Sequence, residues 1–528
     1  MTERAARAAL SLALAGAALF FVQACGRRVP AARNVILFIG DGMSAQTEVA
    51  ASRYLTGKDD GLAWHAFTAK AFVATWDVNS YNAAARAARK PAFSSGSFAP
   101  SIGYDVKEMG PAPRLPGDTR GPFPAGPATD SASAATAIAT GFKTDSGNIA
   151  WLPGDPPDGA LTTIAEEYRS ARGAAIGVVS TVPFNHATPA AFVSHNPSRS
   201  AYYTGLKGSK GLGLADEIIL RTKPDVVIGG GHPLVDNPDL NPKRGYISEA
   251  LLRALRESAD YVFVERTSGG DGGRAVIEGA AAAAAAGKKL FGLFGGKGGN
   301  FEVARVEDGT GRPLVAPGSE ENPTLAEATR AALELLGRDP DGFFLAVEQG
   351  DIDWTNHDND LRGSVGCVAD LDGAVREALA FVDRPGDAVE WTNTVLLVTA
   401  DHATGGLFLS AAKRLDRGDL PSQDPRVAEP GAGARAGSDR GVGANGAVIK
   451  TPSYSSPFIY PDGEIAYLTA GHTNELVNLA VTGSAARTFL KYRGSWYPGL
   501  ILDNTQVNTA LREALGLPAL GRRPARGN

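Results

Sequence analysis

Short apolar runs recur along the chain, and several of them stop on an acid or a histidine. Residues 34–40 read Asn-Val-Ile-Leu-Phe-Ile-Gly, a continuous β-rich run of the kind buried on both faces of a sheet, and Asp41-Gly42-Met43 follows at once. Residues 174–180, 225–228, 343–347 and 394–399 carry the same pattern. Helical segments are expected between them near 161–170, through the alanine run 280–286 that Gly287 stops, at the amphipathic stretch 325–336, and around 367–382. Strands and helices that alternate in this way predict an α/β fold with a mostly parallel central sheet and helices on both faces. Two stretches break the pattern and are expected as surface insertions: residues 82–128, rich in Ala, Pro, Gly and Ser, and residues 415–448, rich in Gly, Asp and Arg.

The length of 528 residues leaves room for one large α/β unit with insertions or for two domains. Basic and acidic residues number 52 and 57, for a formal net charge of -5, which argues against a nonspecific nucleic-acid binder. The N-terminus adds a location. Arg4 and Arg7 precede an apolar run over residues 8–22, too short to span a membrane and typical of an export signal. Val22-Gln23-Ala24-Cys25-Gly26 resembles a bacterial lipoprotein box, with residues 1–24 removed and Cys25 the lipid-anchored first residue. Soluble export with Cys25 incidental is the alternative. Cys367 is the only other cysteine, so no internal disulfide is expected.

Candidate chemistry centres on Thr129-Asp130-Ser131-Ala132, which leads from a Gly/Pro-rich segment into a helix-forming alanine run. Asp and Ser are preferred as N-caps, but a serine there also sits among unpaired amides at the positive end of the helix dipole, where an attacking oxygen and an anion are both stabilised. Acid- and histidine-containing clusters follow the predicted strands or their loops. These are Asp41; Glu348 with Asp353 and His357; Asp401-His402; and Ala470-Gly471-His472-Thr473. In a parallel sheet, strand ends of like sense share one edge, so these residues converge. Asp353 and His357, four apart, share a helix face. Carboxylate and imidazole together suit Zn2+, and an oxygen-rich neighbouring site suits Mg2+. Gly229-Gly230-Gly231 reads as a tight turn rather than a phosphate cradle, and Gly295-Gly296-Lys297-Gly298 as a flexible loop.

These motifs, in this order, resemble the alkaline phosphatase family of phosphate monoesterases, over about residues 34–483. The resemblance is most specific in Ile39–Met43, Asp130-Ser131-Ala132, His186-Ala187-Thr188-Pro189 with Arg199, Glu348 through Asp353 to His357, and Asp401-His402 with His472. It implies Ser131 as nucleophile; Asp353, His357 and His472 on one zinc; Asp41, Asp401 and His402 on a second; and Asp41, Thr188 and Glu348 on a third, magnesium-type site. Arg199 would clamp phosphate, oriented by Asp130. His186 and Trp354 stand where some bacterial members carry Asp and Lys, which points the third site toward Co2+ or Zn2+ as alternatives to Mg2+. The resemblance further implies a catalytic domain over 34–503 after a linker at 25–33, with a C-terminal helix and basic tail over 504–528. A homodimer, phosphate monoester substrates, and a place in the periplasm or cell envelope complete the expectation. The competing readings are a diesterase or sulfatase of the same superfamily and a non-catalytic lipoprotein that binds phosphate or metal. Thr188 and Glu348 beside Arg199 favour monoesters, no sulfatase nucleophile motif is found, and binding alone needs no nucleophile.

Overall fold

Strands that read as continuously apolar do so because helices cover both their faces. In the computed structural model, which describes residues 32–109, 127–207, 211–234, 245–296, 298–306, 314–315, 319–410, 414–420, 458–459 and 465–520, ten strands form one sheet. They are β1 (Asn34–Gly40), β2 (Ala69–Ala74), β3 (Ala175–Pro183), β4 (Val226–Gly230), β5 (Tyr261–Glu265), β6 (Lys289–Leu293), β7 (Phe343–Gln349), β8 (Thr394–Thr399), β9 (Val477–Gly483) and β10 (Ile501–Asp503). Their order across the sheet is β10-β2-β9-β8-β1-β7-β3-β4-β6-β5. Among them β9 alone runs antiparallel to its neighbours, β8 and β2. Helices Ala45–Thr56, Gly272–Ala286, Leu325–Leu336 and Leu361–Val382 pack as one layer; Ser131–Thr140, Ile164–Arg172, Ala187–Val193 and Asn504–Leu515 pack as the other. The last of these carries Val507 and Leu511 into the main core, and Asn508 Nδ2 donates to the Ile138 carbonyl at 2.9 Å.

Register decides where the chemistry sits. Ile39 of β1 pairs with Glu348 of β7 on one side and Thr399 of β8 on the other, and Glu348 pairs with Ser180 of β3. The segments that leave these strands, with Asp41, Asp353 and Asp401, therefore emerge together at one edge.

The described part of residues 82–128 is largely exposed, but aromatic contacts fasten it to the body of the protein. The segment opens inside the helix Val78–Ala87, and Phe93 and Phe98 pack edge-on against Trp76 and Tyr81. Four scattered aromatics make a cluster without making a periodicity, which is why the pattern hid it. Residues 110–126 of that insertion, 421–448 of the other, the export segment 1–24 with Cys25, and the tail 521–528 lie outside the described residues.

His195 illustrates how the second helix layer is tied together. Its Nε2 lies 3.1 Å from Glu166 and its Nδ1 3.1 Å from Glu217, which also meets Arg221 at 3.8 Å. Burial opposes the imidazolium, but the two carboxylates outweigh it and push the ring up to about 10. A raised histidine contributes stability that is complete below its unfolded value of about 6.5 and is lost as pH rises through the folded value. The protein should therefore be more stable than His195→Gln near pH 6, by on the order of a few kcal/mol, with a higher thermal midpoint, and the margin should shrink toward pH 10. Melting curves of the two proteins across that range check it, and a constant margin would contradict it.

Candidate active site

Asp130 resolves the ambiguity at the start of the Ser131–Thr140 helix. It is the N-cap residue, accepting from Ser133 N at 3.0 Å, so Ser131 is the first helical residue and its hydroxyl is not used as a cap. Ser131 is 2% exposed, and its Oγ lies 3.2 Å from His402 Nε2. The same nitrogen lies 3.3 Å from Asp41 Oδ1 and 3.4 Å from Asp401 Oδ2. On the far side of the ring, Nδ1 is 3.3 Å from Thr404 Oγ1, whose own proton goes to Asp353 Oδ1 at 2.5 Å. Thr404 therefore accepts from Nδ1–H, and Nε2 presents a lone pair to two carboxylates and a hydroxyl.

A second cluster repeats this logic. His357 Nδ1 faces the Ala470 carbonyl at 2.6 Å and His472 Nδ1 faces the Thr129 carbonyl at 2.7 Å. Carbonyls only accept, so both Nδ1 atoms donate, and in the neutral rings both Nε2 atoms turn lone pairs toward each other. Yet the two Nε2 atoms stand 3.1 Å apart, with Asp353 oxygens 3.3 Å and 3.5 Å from them. Lone pairs converging in this way repel unless a proton or a cation lies among them. Ligand atoms about 2.0 Å from a tetrahedral ion lie about 3.3 Å from one another, the spacing found in both clusters. The His402 and His472 rings stack at 3.7 Å, so the clusters share a wall.

Electrostatics agree with the geometry. Burial, and then Asp401, Asp353 and Glu348, hold Asp41 well above the usual carboxylate range. Burial raises Glu348 to about 7 and, with Asp353 and Glu348 beside it, Asp401 to about 8. Asp353 is held well below its ordinary value, because His357 and His472 outweigh its burial; Asp353 in turn lifts His357 to about 9 against burial. Burial lowers His402 and His472. Asp41 Oδ1, Glu348 Oε1 and Asp401 Oδ2 are buried with no hydrogen-bond donor in place. Four buried carboxylates with Arg199 as their neighbouring fixed cation form a site that divalent ions suit. Glu348 also receives the Ser180 hydroxyl and is neighboured by Thr188 and Asp41.

Arg199 NH1 donates to Asp130 Oδ2 at 2.9 Å, and Arg199 N donates to the Gly147 carbonyl at 2.7 Å. Burial works against the Asp130 charge, but Arg199 and the bonds from Ser133 and Gly147 bring it to about 2. His186 is the N-cap residue of the Ala187–Val193 helix, and its ring meets Trp354 edge-on at 6.0 Å.

All the candidates named from the sequence thus lie at one edge of the sheet. Missed there were Thr404, Ser180, Ser133 and Asp77. Thr404 stands two residues after His402, on the same side of an extended segment, which was a usable signal. The glycine segments serve packing: Gly231 N donates to the Gly299 carbonyl at 2.6 Å, and a Cβ on Gly230 would collide with that same carbonyl.

The Alkaline phosphatase family model matches residues 126–424. Alkaline phosphatase H of Pseudomonas aeruginosa is 34% identical over 297 residues, 52% of this chain and 57% of that protein. Streptomycin-6-phosphate phosphatase of Streptomyces griseus is 30% identical over 389 residues, 70% of this chain and 73% of that one. The chain spans little more than half the length of the Pseudomonas relative. The fold is that of Thermus thermophilus alkaline phosphatase (TM-score 0.58, 23% identity, 93% of this chain and 92% of that one) and of alkaline phosphatase from the Antarctic bacterium TAB5 (TM-score 0.54, 19% identity, 93% and 100%). A His-to-Asp mutant of the TAB5 enzyme has Mg bound in its M3 site.

Proposed function

The chain belongs to the alkaline phosphatase family, and we propose that it hydrolyses phosphate monoesters to inorganic phosphate and an alcohol through a phosphoserine at Ser131. The observation that carries this reading is the Ser131 hydroxyl lying 3.2 Å from the bare His402 nitrogen, completing a cluster with Asp41 and Asp401. Those residues would hold one Zn2+, and Asp353, His357 and His472 another; Asp41, Thr188 and Glu348 would hold a third ion, Mg2+ or, given His186 and Trp354, Co2+ or Zn2+. When bound, such ions neutralise phosphate charge, acidify a hydroxyl or a water, and stabilise a leaving oxygen.

The chain's own groups do the rest. Ser131 Oγ forms a bond to phosphorus as the ester's alcohol oxygen departs in line, and the hydroxyl proton balances the alkoxide. Water then splits the phosphoseryl ester from the opposite side, returning Ser131 and releasing phosphate. Arg199, its plane steadied by Asp130, offers a planar fork to phosphate oxygens. The amides of Ser131 and Ala132 precede the first intrahelical bond, from Ala134 N to the Asp130 carbonyl at 3.0 Å, and meet the same anion. This charge supply matches a dianionic monoester better than a monoanionic diester.

Export to the periplasm or cell envelope, with a lipid anchor at Cys25, belongs to the same reading and is supported by Arg4, Arg7 and the apolar run 8–22. No helix of the described residues is long and apolar enough to cross a membrane.

Metal-loaded protein should release phosphate from an aryl monoester at alkaline pH and leave a bis-aryl diester nearly intact. Paired colorimetric assays on the two substrates test this, and the reverse preference would replace the monoesterase by a diesterase.

A further inference from the structure

Behind the phosphate clamp lies a carboxylate that the mechanism above does not use. Asp77 follows β2 and is 1% exposed. One carboxyl oxygen caps the Val78–Ala87 helix by accepting from Ser80 N at 2.6 Å. The other receives the Ser146 hydroxyl and lies 3.2 Å from Ser133 Oγ. Ser133 Oγ stands 2.7 Å from Asp130 Oδ1, its nearest carboxylate. The hydroxyl has one proton, shared between a shorter branch to Asp130 Oδ1 and a longer one to Asp77 Oδ2, so it ties the two carboxylates together. Asp130 is gripped again by Gly147 N, 3.0 Å from each of its oxygens. Two routes therefore run from Asp77 to Arg199, one to its guanidinium and one to its backbone. One passes through Ser133 and Asp130 to Arg199 NH1; the other passes through Ser146 and Gly147 to Arg199 N.

We infer that Ser133 and Asp77 are positioning residues of the phosphate clamp: they hold Asp130, and through it Arg199, in register with Ser131. The inference rests on the monoesterase reading. Neither residue needs to touch phosphate, because their effect passes through Asp130. Ser133 separates this role from a structural one. Its backbone N–H, not its side chain, makes the cap bond to Asp130, and alanine is the better helix former, so Ser133→Ala removes the hydroxyl link, with its 2.9 Å contact to Thr129 Oγ1, and leaves the helix cap in place.

The test is kinetic and thermodynamic together. Losing one positioning hydrogen bond should raise KM for an aryl phosphate and Ki for inorganic phosphate together, by about 3- to 10-fold in Ser133→Ala. The turnover number should change by less than about twofold, and the melting temperature should stay near that of the wild type. Ser133→Thr keeps the hydroxyl and should restore both constants. Asp77→Asn keeps a helix cap and should shift both in the same direction as Ser133→Ala. Titrating inorganic phosphate into the zinc-loaded proteins by calorimetry reads the clamp without turnover. If the wild type binds phosphate but cleaves no monoester, the monoesterase reading falls while the clamp is still measured. If Ser133→Ala leaves KM, Ki and Kd within twofold of the wild type, or lowers only the melting temperature, the positioning role is overturned; a wild type that binds no phosphate overturns both.

Discussion

Ser131→Ala is expected to reduce hydrolysis of an aryl phosphate by at least about 10,000-fold, the scale on which removal of a nucleophile acts. The substitution removes a single oxygen at a site 2% exposed. The fold should survive, because Asp130 rather than Ser131 supplies the cap bond and alanine is at home in the first turn. Any residual rate would come from the charge environment acting on water. Two measurements check the role: kcat/KM with a circular dichroism spectrum to show a folded protein, and acid quenching during turnover of a phosphorus-labelled ester. The wild type should retain label on the chain and Ser131→Ala should not. A variant that keeps more than about a hundredth of the wild-type rate would remove Ser131 from the nucleophile's place.

Exhaustive chelation should abolish turnover and lower the melting temperature by several degrees in order of magnitude, with both restored by Zn2+. The structural reason is the crowding of Asp41, Glu348, Asp353 and Asp401, all buried, around His402, whose Nε2 faces Ser131, and around His357 and His472, whose Nε2 atoms face each other. Charge of this density without counter-ions opposes folding, and divalent ions that bind the folded arrangement relieve the repulsion. Calorimetric melting with and without chelator measures the stability term, and a monoester assay on the same samples measures the rate. Chelated protein that turns over unimpaired would sink the metal reading.

Much of this molecule was legible before any coordinates. β1, β3, β4, β7 and β8 announced themselves because helices bury both their faces, so each is a bare apolar run. The strands that escaped notice are shorter, more exposed or interrupted. β2 carries exposed Lys70, β5 is half-buried along most of its length, β6 is buried but its apolar run is short and broken by Gly292, β9 alternates irregularly as the antiparallel partner of β8 and β2, and β10 is three residues long. A strand of three residues is defined by its neighbour, not by its own pattern.

At the site, the residue types and their places after strands were written in the chain. Asp41, Glu348 and Asp401 each close or follow a buried strand, and parallel pairing alone brings such positions to one edge. Their partners were another matter. That Thr404 links His402 to Asp353, that carbonyls of Ala470 and Thr129 set the histidine tautomers, and that Ser133 joins Asp130 to Asp77 all depend on approaches between segments 50 to 340 residues apart in order of magnitude. Hydrophobic pattern determines which elements form and which faces they bury, because burial is a property of each segment. Hydrogen bonds of a few ångströms between distant side chains depend on how whole layers dock, and only the tertiary structure decides them.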